Sequence, residues 1–220
     1  MKTIFQIIKE VVLIATYPFG RLVSLFLKDE VSLKPTILFV ETWYTKNVHH
    51  RKWKKFLEKK GFQVQIVNFP IHKGSFKESA QKLKDYIEEN DFSELILVGI
   101  SSGGITSLLY LEDFGGWSKV KKFISIASPF RGSPMFIFNI HTKSGRELLP
   151  NSTFITKLTE RKIQNLDKIY CIHAKFDEMV PVSSSVLPGA ANIQIDVVGH
   201  NNLHVDTKKT YEEVEKIARE

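Results

Sequence analysis

A serine between two glycines follows a run of apolar residues that is typical of a buried strand. Gly99, Ser101 and Gly103 have the spacing G-x-S-x-G, which places a serine in a sharp turn between a strand and a helix. Residues 95–98 predict the strand and residues 105–109 the helix. The turn needs small neighbours because the serine backbone is strained. The pattern therefore predicts a nucleophilic Ser101, with a glycine-rich phosphate-binding turn or tight packing as the alternative.

A serine hydroxyl becomes a good nucleophile only when a base takes its proton, and that base needs a carboxylate to orient it. Asp177 follows the apolar run 169–173 by a few residues and is the candidate acid, with Glu178 as a near neighbour. His200 stands one glycine after the apolar run 193–198, so it is favoured as the base over His204. The other histidines are interpreted as surface or core residues: His49, His50, His72, His141 and His173.

Strands and helices that could position these side chains alternate along the chain. The predicted strands are residues 36–40, 62–67, 94–98, 120–127, 170–173 and 193–198. The predicted helices are residues 47–60, 76–89, 102–112 and 211–219. This order implies a mainly parallel sheet with helices on both faces, and functional side chains at the carboxyl ends of the strands. Ser101, Asp177 and His200 each follow a predicted strand, so we expect them to meet there.

The composition fits one folded domain after a separate N-terminal segment. The 220 residues are 43% apolar, which can supply a continuous core for residues 31–220. A single cysteine, Cys171, excludes a disulfide within the chain and lies in an apolar run, as a buried inert thiol would. Residues 1–30 predict an amphipathic helical segment because Gln6, Lys9 and Glu10 interrupt its apolar residues. That helix packs on the domain, lies on a membrane surface, or is a signal peptide.

The formal charge of +7 favours contact with anionic surfaces. Within the densest basic run, residues 49–55, Trp53 is one of the apolar residues at helical spacing, so the charges are interpreted as one solvated helix face. Nucleic acid is not an expected partner, since no recognition motif accompanies the charge. We expect a cytoplasmic protein, with peripheral membrane contact through the N-terminal helix as an open alternative.

Three segments resemble a known family. Residues 174–204, and within them residues 189–195 and Gly199-His200, are similar to the C-terminal part of small bacterial triacylglycerol lipases of the minimal α/β-hydrolase type. Residues 127–134 look like the T-P-H-x-G-T/S segment of the wider lipase group, and residues 147–154 like its L-x-P-G-S-x-F segment. The resemblance covers about residues 36–218. It implies a three-layer α/β-hydrolase fold and a triad of Ser101, Asp177 and His200 that cleaves esters through an acyl-enzyme, with no metal or organic cofactor.

One position departs from that family. These lipases usually carry His-Gly at the end of the first buried strand, where this chain has Glu41-Thr42. The resemblance implies that the backbone N–H groups of Ser102 and, by position, Trp43 hold the oxyanion. A carboxylate beside this hole could weaken it, and the loss of one donor typically costs about 10²–10³ in rate.

A substrate-binding wall or lid is predicted at about residues 135–160. Its apolar side chains, including Phe138 and Leu149, are suited to contact an acyl chain, with coverage of the core as the alternative. The expected substrate is a small-molecule or lipid ester. Two alternatives stay open: a weakly active or inactive binding protein with this fold, and an acyltransferase that uses the same triad.

Overall fold

A computed structural model of the chain describes residues 6–7, 37–41, 50–69 and 74–220. Six strands of this part form one sheet in which all neighbours are parallel, in the order β2-β1-β3-β4-β5-β6. The strands are β1 (Ile37–Glu41), β2 (Val64–Asn68), β3 (Leu95–Ile100), β4 (Val120–Ile126), β5 (Ile169–Phe176) and β6 (Ala191–Val198). Because they are parallel, their carboxyl ends lie along one edge of the sheet.

Helices lie between the strands and after them. They are α1 (Arg51–Lys59), α2 (Phe76–Glu89), α3 (Ser102–Asp113), α4 (Lys143–Glu147), α5 (Thr153–Thr159), α6 (Val182–Ser185) and α7 (Lys208–Arg219). Three short 3-10 helices span Gly116–Ser118, Pro134–Asn139 and Leu166–Lys168, and a single π-helical turn spans Asn202–Asp206.

Successive apolar side chains of a strand point to opposite faces of the sheet, so both faces are buried. Leu38 and Val40 of β1 share a core with the apolar faces of α2 and α3. Ile37 and Phe39 share a second core with α1 and α7, where Trp53 packs edge-on against Phe39 at 5.4 Å between ring centroids. Helices therefore cover both faces, and the predicted three-layer α/β class is confirmed.

Local signals explain where several helices begin. α2 starts after Ser75, whose side chain accepts from the N–H of Glu78 while the Glu78 side chain accepts from the N–H of Ser75. α4 and α5 are capped by Thr142 and Ser152 in the same region that the sequence leaves without clear strands. The sequence predicts α2 with its observed bounds, whereas β5 and β6 are longer than predicted.

The division at residue 30 stays a prediction, because the predicted N-terminal helix lies outside the described residues except for residues 6 and 7, which are helical. The backbone carbonyl of Gln6 accepts a hydrogen bond of 2.9 Å from the Asn202 side chain. Among the described residues, no helix combines the length and apolar character needed to cross a membrane.

Candidate active site

Ser101 occupies the junction between β3 and α3 in a strained backbone conformation, with φ 52° and ψ −126°. The glycines around it are explained by close contacts. A Cβ atom on Gly103 would lie 2.1 Å from the carbonyl oxygen of Val40, and one on Gly99 would lie 2.5 Å from the Cα of Gly104. Only glycine at these two positions therefore lets α3 lie this close to β1 and β3.

Asp177 directly follows β5, and its side chain is buried. Oδ1 accepts hydrogen bonds from the backbone N–H groups of Met179, at 2.8 Å, and Val180, at 2.7 Å. The turn after β5 thus fixes the carboxylate and leaves Oδ2 directed at another partner.

That partner is His200, which is separated from the end of β6 by Gly199. Nδ1 of His200 is 2.7 Å from Oδ2 of Asp177, and Nε2 is 3.1 Å from Oγ of Ser101. An ionised carboxylate only accepts hydrogen bonds, so this contact assigns the ring proton to Nδ1 and leaves Nε2 of the neutral ring able to accept the Ser101 proton. The structure thus brings together the three side chains that the sequence singles out.

The two less favoured candidates, Glu178 and His204, have other contacts. Glu178 accepts from the backbone N–H of His200, at 3.2 Å to Oε2, while the neighbouring Asp177 holds the ring. His204 lies against the His200 ring, with centroids 4.9 Å apart and an interplanar angle of 78°. Of the two candidate bases, His200 is the ring for which contacts to both Ser101 and Asp177 are seen.

Sequence reasoning missed one pair beside this site. The carboxylate of Glu41, the last residue of β1, contacts Nδ1 of His50, and both side chains are buried. His50 was expected to be an ordinary surface or core histidine. A glutamate at the end of an otherwise apolar strand was the available signal, because a buried carboxylate needs a partner.

The predicted oxyanion donors are only partly described. Ser102 is fully buried in the first turn of α3, where backbone N–H groups point out of the helix and the helix dipole favours negative charge. Thr42 and Trp43 lie outside the described residues, so the prediction for Trp43 stays a prediction.

The predicted wall at residues 135–160 consists of the 3-10 helix Pro134–Asn139, α4 and α5. Its start is tied to the turn that holds Asp177, because the Ser133 hydroxyl donates a 2.5 Å hydrogen bond to the backbone carbonyl of Met179. Phe138 is 73% exposed, whereas Leu149 is partly buried and packs on the core shared with α2 and α3. The two candidate acyl contacts thus differ: Phe138 is accessible and Leu149 helps to cover the core.

The single cysteine and the possible metal ligands are the other candidate reactive groups. Burial raises the pKa of the Cys171 thiol to about 12, so this group stays protonated at neutral pH. In the part of the chain that the structure describes, no group of three or more histidine, cysteine and acidic side chains is placed to hold a metal ion.

Comparisons with known proteins identify the fold. No family model matches the sequence, and no curated protein is significantly similar to it in sequence. The structure is similar to the mature form of a Bacillus licheniformis lipase, with 16% identity, a TM-score of 0.64, and coverage of 86% of this chain and 93% of that one.

It is also similar to an α/β-hydrolase enzyme from a metagenome of lagoon sediments at Mar Chica, Morocco, with 18% identity, a TM-score of 0.66 and coverage of 86% and 96%. An esterase from Exiguobacterium antarcticum aligns with 12% identity, a TM-score of 0.64 and coverage of 87% and 94%. At these identities the likeness shows the fold, and this chain has the α/β-hydrolase fold.

Proposed function

We propose that this α/β-hydrolase-fold chain is a carboxylic-ester hydrolase with Ser101 as its nucleophile, His200 as its base and Asp177 as its acid. The observation that carries the proposal is the His200 ring, which lies 3.1 Å from Oγ of Ser101 and 2.7 Å from Oδ2 of Asp177. These two contacts and the strained turn at Ser101 are the arrangement that acyl transfer through serine requires. The lipase and esterase among the similar structures support the same class of reaction.

In the first half of the reaction, Oγ of Ser101 attacks the ester carbonyl while its proton passes to Nε2 of His200. The tetrahedral intermediate collapses when the ester C–O bond breaks, and His200 donates the proton that it took from Ser101 to the departing alkoxide. The products of this half are the alcohol and an acyl-Ser101 ester. Asp177 stabilises the charged His200 ring between the two proton transfers.

In the second half, water replaces the alcohol. His200 takes a proton from the water, which attacks the acyl-Ser101 carbonyl, and then returns a proton to Oγ of Ser101 as the bond to the acyl group breaks. The acid is released and the enzyme is restored. The backbone N–H of Ser102, and that of Trp43 by position, are proposed to hold the negative oxygen in both tetrahedral intermediates.

The proposed substrate is a small-molecule or lipid ester. Phe138 is accessible on a segment that is tied to the Asp177 turn, which supports an acyl-binding role for this region. Contact of residues 1–30 with a membrane surface is part of the proposal only for lipid esters, and it is tested with vesicles that contain the ester.

A fluorophosphonate probe tests nucleophile activation without knowledge of the natural ester. We expect the wild-type protein to be labelled at Ser101 and to hydrolyse short to medium acyl p-nitrophenyl esters. Ser101→Ala should abolish labelling, and His200→Ala should lower kcat by several powers of ten, because triad members act as a unit.

Two results would contradict the proposal. Labelling that persists in Ser101→Ala would assign the nucleophile elsewhere, and a folded wild-type protein that neither reacts with the probe nor cleaves esters would favour a binding protein. Analysis of the products in the presence of an alcohol acceptor separates hydrolysis from acyl transfer.

A further inference from the structure

Three buried polar side chains outside the proposed triad contact one another in a line, and this line ends at the triad. Glu41, His50 and His204 are 5%, 3% and 3% exposed, respectively. A carboxylate and two imidazoles at this depth need hydrogen-bonding partners, since burial of an unpaired polar group is costly. Each of them finds a partner in the next.

The contacts link the three side chains one after another, from Glu41 through His50 to His204. The carboxylate of Glu41 contacts Nδ1 of His50, and Nε2 of His50 lies 3.3 Å from Nδ1 of His204. Since an ionised carboxylate only accepts, Nδ1 of His50 donates to Glu41. Nε2 of His50 and Nδ1 of His204 then share one proton, which either ring can carry. The His50 ring uses its two nitrogens for different partners, so the three groups form a line and do not converge on a point as metal ligands do.

The last member of this line meets the proposed base. The His204 ring lies against the His200 ring with centroids 4.9 Å apart and planes at 78°, an edge-to-face arrangement that is favourable for aromatic rings. Neighbouring contacts fix the turn that carries His204. The Tyr211 hydroxyl donates to the carbonyl of Val205 at 2.6 Å, and the Asn202 side chain donates to the carbonyl of Val198 at 2.8 Å.

We propose that Glu41, His50 and His204 form a line of side chains, here called the relay, that positions His200 for its reaction with Ser101. The relay is defined by these three residues, and it acts on the orientation of the His200 ring. His200 must hold its ring between Ser101 and Asp177 while the ring gains and loses a proton. His204 limits movement of that ring, His50 holds His204, and Glu41 holds His50. This inference rests on the proposed esterase function.

The relay also gives a reason for the departure at the end of β1. A carboxylate there has a specific partner in His50, which it reaches from the same strand end whose Val40 carbonyl approaches the turn of Ser101. Positioning requires such a rigid support, because small misplacements of a reacting group lower the rate of the chemical step without an equal loss of substrate binding.

Kinetics of single and double variants test the relay. We expect Glu41→Ala and His50→Ala each to lower kcat by about tenfold or more while KM stays within about twofold, since the relay acts on His200 and not on substrate. The double variant should lose no more than the worse single variant, because links of one chain are not additive. Glu41→Gln keeps an oxygen acceptor for Nδ1 of His50 and should recover most of kcat.

His173 supplies a matched control. It is also a buried histidine, and its Nδ1 lies 3.1 Å from the carbonyl oxygen of Ala174. His173→Ala should leave kcat close to that of the wild type, and its effect should add to that of Glu41→Ala. Should His50→Ala fail to fold, His50→Phe keeps the ring volume and removes both hydrogen bonds. Equal kcat values in folded wild-type, Glu41→Ala and His50 variants would overturn the relay.

Ring-nitrogen NMR separates failure of the relay from failure of the esterase proposal. In a Ser101→Ala background, where no acyl-enzyme can form, His50→Ala should shift the His200 ring signals although His204 lies between them. Shifted signals, in a protein whose wild-type parent does not react with a fluorophosphonate, would support the positioning contact and contradict the esterase function. Unshifted signals in a protein whose parent is an active esterase would overturn the relay alone.

Discussion

Asp177 and His200 are joined by a hydrogen bond of 2.7 Å in which Asp177 uses only one of its two oxygens. The other oxygen is held by the backbone N–H groups of Met179 and Val180. Next along the chain, Glu178 accepts from the backbone N–H of His200. Two adjacent acids thus contact the same histidine, one at its ring and one at its main chain.

Because Asp177 contacts the His200 ring and Glu178 its main chain, replacing each acid by its amide should have different effects. Asp177→Asn should lower kcat by about three to four powers of ten, because an amide can stabilise the wrong ring tautomer and cannot balance the charge of the protonated ring. Glu178→Gln should lower it by less than about tenfold, since an amide oxygen still accepts from the His200 N–H. The two variants are compared by p-nitrophenyl ester hydrolysis, and a larger loss in Glu178→Gln would reassign the acid.

The layered fold could be predicted because its strands carry their own signals. Leu38 and Val40 face one core and Ile37 and Phe39 the other, so residues 37–40 of β1 are an unbroken apolar run, as expected for a sheet covered on both faces. The π-helical turn at Asn202–Asp206 could not be predicted. This turn makes tertiary contacts, such as the hydrogen bond from the Tyr211 hydroxyl to the Val205 carbonyl, and no residue pattern predicts it.

Ser101, Asp177 and His200 could be singled out because each follows a strand, and the carboxyl ends of parallel strands meet at one edge. Glu41, His50 and His204 could not be grouped in this way. His50 and His204 are separated by 154 residues, and His50 belongs to a basic run that has the composition of a solvated helix face. Only the packing of α1 on the sheet reveals that its ring is buried.

Chain-length profiles distinguish the two candidate acyl contacts. Phe138 is 73% exposed and Leu149 packs on the core, so we expect Phe138→Ala to shift the preferred acyl length of p-nitrophenyl esters toward shorter chains. Leu149→Ala should mainly lower the melting temperature, as removal of packed methyl groups does. Identical profiles for wild type and Phe138→Ala would remove this residue from the binding site.

Cys171 should be inert in the native protein. Burial raises the pKa of its thiol to about 12, so the reactive thiolate makes up only about one part in ten thousand at pH 8. Iodoacetamide should therefore leave hydrolysis and the protein mass unchanged at this pH, and should add one group after unfolding in guanidinium. Rapid alkylation of the folded protein would contradict the buried placement.

The contribution of Glu147 to the stability of the fold should depend on pH. Burial raises the pKa of this carboxyl, although its hydrogen bond from the Phe76 N–H lowers it. A carboxyl with a raised folded-state pKa contributes stability below its unfolded pKa of about 4.3, and this contribution is lost as pH rises through the folded value. Glu147→Gln should therefore raise the melting temperature at pH 7, with a gain that vanishes near pH 3.

Glu78→Gln is the control of opposite sign. The hydrogen bond with Lys143 lowers the pKa of the exposed Glu78 carboxyl, so its ionised form supports the folded state. Its replacement should lower the melting temperature slightly at pH 7 and have no effect at pH 3, while glutamine preserves the capping box with Ser75. Since the chain carries a net charge of +7, a melting temperature that falls equally in both variants at pH 7 would point to a general charge effect.

Restoration of His-Gly at Glu41-Thr42 tests two opposing expectations. If this pair weakens the oxyanion hole, as the sequence suggests, the double substitution should raise kcat by one to two powers of ten, about 1.4–2.8 kcal/mol of barrier. The structure adds that Glu41 holds His50, and a histidine in its place offers no carboxylate to that ring. We therefore expect the double substitution to lower kcat by about tenfold or more.

Thr42→Gly alone separates the two effects, because it relaxes the backbone and keeps the carboxylate of Glu41. A gain in kcat for Thr42→Gly that is lost when Glu41→His is added would mean that the backbone at residue 42 limits the hole and that Glu41 is needed for His50. A gain in the double variant that exceeds the gain in Thr42→Gly would instead show that the carboxylate itself opposes the developing negative charge. In that case Glu41 would contact His50 only because both side chains are buried, and the contact would not support the reaction. The gain would be expected in kcat, because the negative charge that Glu41 opposes develops only in the transition state.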